Sequence, residues 1–203
     1  MRFSSLQQRG LFTPAGSQVL VDDHEGGVVY HPGLIDAATA QRWFDALRDG
    51  VQWSAQQRPM YDRIVAVPRL TAGFRIASER LPPVLREAAD LLQRHVGTPF
   101  NAIGLNYYRD GHDSVAPHSD KLSILVPHHP IALISLGSVR RMTIRAKQPP
   151  RTPIHVDLEP GSLLSMSYDS QLHYEHGVAK TRDEIGARIS LAFRVRPDVD
   201  RLG

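Results

Sequence analysis

His118-Ser119-Asp120 is the part of this 203-residue chain best suited to chemistry. On an extended backbone the side chains at i and i+2 project from one face, so an imidazole and a carboxylate at this spacing can meet one metal ion. The segment follows a polar turn, Arg109-Asp110-Gly111, and precedes a loop, which puts it at the mouth of a sheet rather than in its middle. A third ligand must come from far along the chain; the candidates are His173 and His176, in Leu172-His173-Tyr174-Glu175-His176-Gly177. Two histidines and one carboxylate on one face of an octahedron leave positions open, the arrangement that suits non-haem iron(II) activating oxygen with a bidentate co-substrate. Alone, His-x-Asp is a weak signal among ten histidines, so its weight depends on the rest of the chain.

That context comes from Arg188-Ile189-Ser190-Leu191-Ala192-Phe193-Arg194. Its alternation places Arg188, Ser190, Ala192 and Arg194 on one face of a strand and Ile189, Leu191 and Phe193 on the other. Guanidinium groups on an inward face need anionic partners, and a small dicarboxylate held by forked hydrogen bonds supplies them. Asn106 and Tyr108 share a face on the strand before His-x-Asp and are placed to donate hydrogen bonds to the same ligand. Spacing alone leaves open a second reading, in which both arginines lie on a solvent-facing edge.

Composition narrows the chemistry further. The chain has no cysteine, which excludes disulfides, thiolate catalysis, zinc ribbons and iron–sulfur clusters, so any metal must use His and carboxylate. An apolar content of 41% and a charged content of 22% describe a globular protein. The net charge of +3 permits a polyanionic partner without the strongly basic footprint of a dedicated nucleic-acid binder. The longest apolar runs, such as Ile131 to Leu136, are far short of the roughly 20 residues that cross a bilayer. The first residues also lack the apolar stretch of a signal peptide, so the expectation is a cytoplasmic protein without membrane contact; a monomer is expected separately.

The elements that must position these residues fall into two groups. Val19 to Val21 and Val28 to Tyr30 suggest short strands in an irregular lead-in. Ala40, Trp43, Phe44 and Leu47 recur at helical intervals after Asp36 as N-cap, with Gly50 as terminator. A second helix is predicted from Pro82 through Leu85, Ala88, Leu91 and Leu92 to Gly97. Beyond Thr98 the runs Ala102–Tyr108, Ile131–Leu136, Met142–Ala146, His155–Leu158, Ser162–Ser167 and Arg188–Arg196 read as strands of a sandwich or barrel. The fold class expected is α+β, mainly β. One domain spans 1–203, with N-terminal strands and a helix over 1–66 and the catalytic core over 67–197.

From about Pro68 to Pro197 the chain resembles the AlkB-like family of Fe(II)/2-oxoglutarate dioxygenases. The residues that carry the resemblance are Pro68-Arg69-Leu70-Thr71-Ala72, Asn106-Tyr107-Tyr108-Arg109-Asp110-Gly111, His118-Ser119-Asp120, Ile134-Ser135-Leu136-Gly137, His176-Gly177 and the Arg188 to Arg194 pair. The resemblance implies a double-stranded β-helix (jelly-roll) core with supporting N-terminal helices. It selects His176 over His173, because the family's distal histidine closes a segment with aromatic residues just before it. It implies Fe(II) on His118, Asp120 and His176, the catalytic centre, with 2-oxoglutarate and O2 as co-substrates and Asn106, Tyr108, Arg188 and Arg194 binding 2-oxoglutarate. The implied reaction turns 2-oxoglutarate into succinate and carbon dioxide while hydroxylating a substrate C–H bond. On an N-methyl group the product loses formaldehyde, and the implied partner is alkylated DNA or RNA.

The chain departs from that pattern at two places. Nucleobase-repair members usually follow His-x-Asp with an acidic pair, where this chain has Lys121, Leu122 and Ser123. The aromatic platform for a flipped base is reduced to Phe74 and Tyr61. Arg69 and Ser190 complete the substrate-binding candidates, and the basic run Arg140, Arg141, Arg145, Lys147 and Arg151 is a candidate path for a phosphate backbone. His112-Asp113 and His128-His129 read as turn residues. Two alternatives accompany nucleobase dealkylation: hydroxylation or demethylation of a protein or small molecule, and a non-catalytic metal-binding β-barrel module.

Overall fold

The helix expected after Asp36 forms as α1 (Ala37–Gly50), and the Asp36 carboxylate accepts the Thr39 N–H at 2.9 Å, closing one of the open donors of its first turn. In the computed structural model, which describes residues 16–60 and 63–197, α1 follows β1 (Gln18–Val21) and β2 (Val28–His31). Next come β3 (Ser54–Met60), β4 (Arg63–Arg75) and α2 (Pro83–Val96). The β-rich part contains β5 (Ala102–Tyr108), β6 (Val115–His118), a single 3₁₀ turn (Leu122–Ile124), β7 (Ile131–Gly137), β8 (Arg140–Ala146) and β9 (Pro153–Leu158). It ends with β10 (Leu163–Met166), α3 (Ser170–His173), β11 (Tyr174–Val178) and β12 (Arg188–Arg194).

The strands form two antiparallel sheets, one of eight in the order β1-β2-β10-β7-β12-β5-β4-β3 and one of four in the order β6-β11-β8-β9. Strand alternation then decides the layers. On β12 the odd-numbered side chains Ile189, Leu191 and Phe193 face α1 and α2, where they pack with Trp43, Leu47, Leu85 and Leu92. Tyr108, Leu133, Met142, Ile144, Leu164 and Val178 fill the space between the two sheets. Each large apolar side chain buried this way contributes about 1.5–3 kcal/mol relative to exposure, so both faces of the large sheet are strongly specified. The result is the mainly β jelly roll that the sequence led us to expect, with helices on the outer face of the large sheet.

The structure corrects several details. Gly50 does not terminate α1: it is the last helical residue, and Val51 caps with extended backbone. Pro82 is the cap of α2 rather than part of its first turn, and Gly97, at φ 71°, ends that helix in the left-handed conformation that glycine adopts without penalty. The β3–β4 hairpin was not expected at all. Pro59 and Pro68 disguise it, and Pro68 is tolerated because β5 pairs with β4 only from Leu70 onward. β4 also runs across the expected 66/67 boundary, joining the N-terminal part to the core sheet.

Candidate active site

The site is assembled where β6 and β11 pair. Their register sets His118 opposite His176, and the two imidazole centroids lie 4.6 Å apart. His118 Nδ1 donates to the Ala116 carbonyl at 2.9 Å, which leaves Nε2 as the ring's free lone pair. Asp120 sits just past the end of β6, in a loop tied to the α3–β11 segment. Ser119 Oγ donates to the Tyr174 carbonyl at 2.7 Å, and the Asp120 N–H donates to Gln171 Oε1 at 3.0 Å.

Asp120 Oδ2 accepts a hydrogen bond from Arg194 Nε at 2.7 Å and is ion-paired with Nη2 of the same guanidinium at 2.6 Å. Burial alone would raise the Asp120 pKa, but the guanidinium, with His176 and His118, outweighs it and holds the carboxyl below the usual range. Burial, reinforced by His118 and Arg194 and opposed by Asp120, pushes His176 down to about 4, so its imidazole is neutral at pH 7. Among the described residues no three His, Asp or Glu side chains are closed into a metal cage, Asp120 being engaged by Arg194. The donor chemistry nevertheless fits iron(II): a neutral imidazole on β11, a second with a free Nε2 beside it, and an ionised carboxylate coupled to both.

Both histidines line a cavity between the sheets together with Arg69, Asn106, Tyr108, Arg188, Ser190 and Arg194. Leu133, Met142 and Met166 supply its apolar wall. Arg188 is 1% exposed, donates from Nε to Ser135 Oγ at 2.9 Å and lies 5.2 Å over the Tyr108 ring. Its Nη2 is buried with no hydrogen-bond partner, and no carboxylate neutralises it among the described residues. Burial lowers the Arg188 pKa, Tyr108 counteracts this, and Arg140 adds to the lowering. A buried cation with an open donor beside a cavity fits a carboxylate ligand. Asn106 and Ser190 are neighbours in one cross-strand row with Ser135, and Asn106 Oδ1 accepts from Arg69 Nε at 2.7 Å.

The expected residues His118, His176, Asn106, Tyr108, Arg188, Arg194, Arg69 and Ser190 thus share one cavity, with Asp120 joined to it through Arg194. Phe74 does not join them. It falls on the face of β4 opposite Arg69 and packs with Ala72 in the helix-side core, so it cannot stack on a ligand between the sheets. Tyr61 lies outside the described residues. His173, on α3, is largely exposed and faces Asp169 at 3.8 Å, whereas His176 is buried opposite His118.

The basic run is also corrected as a path for phosphates. Arg140 is buried and donates to the carbonyls of Asp110, Asp113 and Ala179, while Arg141 pairs with Asp157. Arg145 and Arg151 share Glu175, and Lys147 holds the Gln171 carbonyl. Two site residues were missed. Ser135 carries its signal in the chain, a lone hydroxyl inside an otherwise apolar strand. Gln171 carries none, because its role depends on a loop 51 residues away in sequence.

A two-sheet jelly roll with this cavity defines an oxygenase-type fold in which the sheet mouth carries the His-x-Asp segment. Residues 73–194 match the family model of the 2OG-Fe(II) oxygenase superfamily, and the chain belongs to that superfamily as an AlkB-like member. It is 31% identical to "Alpha-ketoglutarate-dependent dioxygenase alkB homolog 3" of Rattus norvegicus, over 84% of this chain and 65% of that protein. The human protein of the same name is also 31% identical, over 84% of this chain and 67% of its own length. "DNA oxidative demethylase ALKBH2" of Homo sapiens is 30% identical, over 61% of this chain and 50% of that protein. The chain spans about two thirds of the first relatives and about half of the human ALKBH2.

Proposed function

We propose that this chain is an Fe(II)- and 2-oxoglutarate-dependent dioxygenase that oxidatively dealkylates nucleobases in DNA or RNA. The observation that carries the co-substrate is Arg188, a fully buried guanidinium with an unpartnered Nη2, which lines the cavity that His118 and His176 also line. The names of the relatives, one of them a DNA oxidative demethylase, support the substrate class.

In this reading His118, Asp120 and His176 hold the iron, which with 2-oxoglutarate and O2 supplies the oxidant for hydroxylating a C–H bond. Arg188, fixed by Ser135 and stacked on Tyr108, takes one carboxylate end of 2-oxoglutarate. Arg194, Asn106 and Ser190 orient the remainder along the same face of β12 and β5. Arg69 buttresses Asn106, and Leu133, Met142 and Met166 keep water from the reacting centre. The protein acts as a cytoplasmic monomer.

A second reading, hydroxylation of a protein or small molecule, is favoured by one observation. Lys121, Leu122 and Ser123 follow Asp120, and Leu122 packs against the inter-sheet core, so no carboxylate is offered there to a base amino group. Replacing His118 or Asp120 with Ala tests the dioxygenase reading. Both changes are expected to abolish succinate formation from 2-oxoglutarate, and turnover that survives them refutes the site.

A further inference from the structure

We propose that Arg75 and Arg196 form a subsite for a backbone phosphate of a nucleic-acid strand, at the Arg194 end of the cavity; the inference rests on the nucleic-acid reading above. Arg75 is the last residue of β4 and shares its face with Arg69, since the intervening Ala72 and Phe74 point to the helices. Ala102 is the cross-strand partner of both Arg75 and Arg194, so the two arginines flank it on neighbouring strands.

Asn101 brings Arg196 to the same place. Its carbonyl accepts the N–H of Ile76, the residue after Arg75, at 3.0 Å. Its side-chain amide grips the backbone of Arg196 at both polar groups, donating to the carbonyl and accepting from the N–H, each at 2.8 Å. The segment beyond β12 is thereby docked against the end of β4. Next to it, Gly73, Gly104 and Ala192 stand in register across three strands, and the Arg194 guanidinium lies close above Gly104. These three residues add no bulky side chain of their own to that face.

Among the described residues the charges in this corner do not balance. Arg194 has Asp120, but among the described residues neither Arg75 nor Arg196 has a carboxylate within 4.0 Å. The Nε–H of Arg196 is buried with no acceptor among the described residues, and burial, joined by the like charges of Arg194 and Arg75 and opposed by Asp120, holds its pKa below the usual arginine value. Two cations with no anionic partner among the described residues, beside an unmet donor, are relieved by a phosphodiester, whose oxygens accept charge-assisted hydrogen bonds from guanidinium groups. This corner therefore replaces the basic run of β8, whose charges are already neutralised or structural.

Binding of a fluorescent, unmodified single-stranded oligothymidylate, titrated over a range of salt, tests the subsite. Arg75→Ala/Arg196→Ala is expected to lose about tenfold in affinity at low salt and to flatten the slope of log K against log salt by about 1.4, two contacts at about 0.7 each. Arg75→Lys/Arg196→Lys, which keeps the charges, is expected to retain most of the slope, and thermal melting checks that both variants fold. If the wild type binds and Arg75→Ala/Arg196→Ala binds with the same affinity and slope, the subsite is wrong while the nucleic-acid reading stands. An unchanged oligonucleotide affinity together with stabilisation of the wild type alone by inorganic phosphate would assign the corner to a free anion and overturn the strand assignment. No binding of oligothymidylate by the wild type, with succinate still formed from 2-oxoglutarate, removes the nucleic-acid reading and this inference with it.

Discussion

Arg194 clasps the carboxylate of Asp120, its Nε and Nη2 standing 2.7 and 2.6 Å from Oδ2. A residue assigned to the metal and one assigned to the co-substrate are thus electrostatically one unit. Without Arg194, burial acts on Asp120 unopposed by its main counter-charge and its pKa rises. Metal uptake must then expel a proton from Asp120 in mildly acidic solution, whereas the wild-type carboxylate is already ionised there. Cobalt(II) binding followed by absorption is expected to weaken between pH 7 and pH 5 more steeply in Arg194→Ala than in the wild type. Equal pH dependence would show that the pair is not coupled.

Arg188 gives a prediction of opposite sign for stability and for function. It is a buried cation without an anionic partner among the described residues, so Arg188→Met, which removes the desolvation cost and keeps much of the volume, is expected to leave the melting temperature of the ligand-free protein unchanged or raised. The same variant is expected to lose at least about 2 kcal/mol of 2-oxoglutarate affinity, roughly thirtyfold. Thermal shift with and without 2-oxoglutarate reads both effects, since a ligand that binds only the folded state raises the melting temperature. A variant stabilised by 2-oxoglutarate over the same concentration range as the wild type would disprove the role.

Arg140 behaves in the opposite way. Its guanidinium satisfies the carbonyls of Asp110, Asp113 and Ala179, joining the β5–β6 turn to the segment after β11. Arg140→Ala is expected to destabilise the fold by about 2–4 kcal/mol through lost hydrogen bonds and stranded acceptors. Chemical denaturation measures this loss.

Asp113 anchors the same turn through Arg109, at 2.7 Å. Burial works against its ionisation, but Arg109, helped by Arg140, holds its pKa below the ordinary carboxylate value. A folded-state pKa that is lowered gives stability present above the unfolded value of about 3.9 and lost as pH falls through the folded value. Asp113→Asn is therefore expected to cost stability at pH 7 and to flatten the decline of stability at acidic pH, as acid titration monitored by circular dichroism would show.

Gln171 reaches the metal residues only through the Asp120 backbone. Gln171→Ala is expected to weaken metal binding about 10–100-fold with the protein otherwise folded, the magnitude usual for groups that orient ligands. Isothermal titration with cobalt(II) checks it, and Gln171→Glu, which keeps the acceptor, is expected to recover most of the affinity.

What the sequence revealed of this site follows from how each residue acts. Arg188 and Arg194 are legible because strand alternation puts them on one face, and His118 and Asp120 because an i, i+2 pair is read locally even though Asp120 lies just past the strand end; neither needs knowledge of distant partners. Phe74 was misplaced by one step of the same alternation, which sends it to the helices. Arg140 reads as a surface charge in any local window, and only the turn 27 to 30 residues earlier reveals it as a buried clamp. The β3–β4 hairpin was hidden by its prolines, and Gln171 and Asn101 act through loops that no local pattern links. Legibility ended where contacts became long-range and polar.

The central claim is tested most directly by iron-loaded protein given 2-oxoglutarate, oxygen and an oligonucleotide carrying 1-methyladenine or 3-methylcytosine, with succinate, formaldehyde and restored base quantified together. Oxygen-dependent formaldehyde is expected in step with base repair, and none with the unmodified strand. Succinate without repair would contradict the nucleobase substrate. The absence of both products, with iron and 2-oxoglutarate shown to be bound, would contradict the dioxygenase itself.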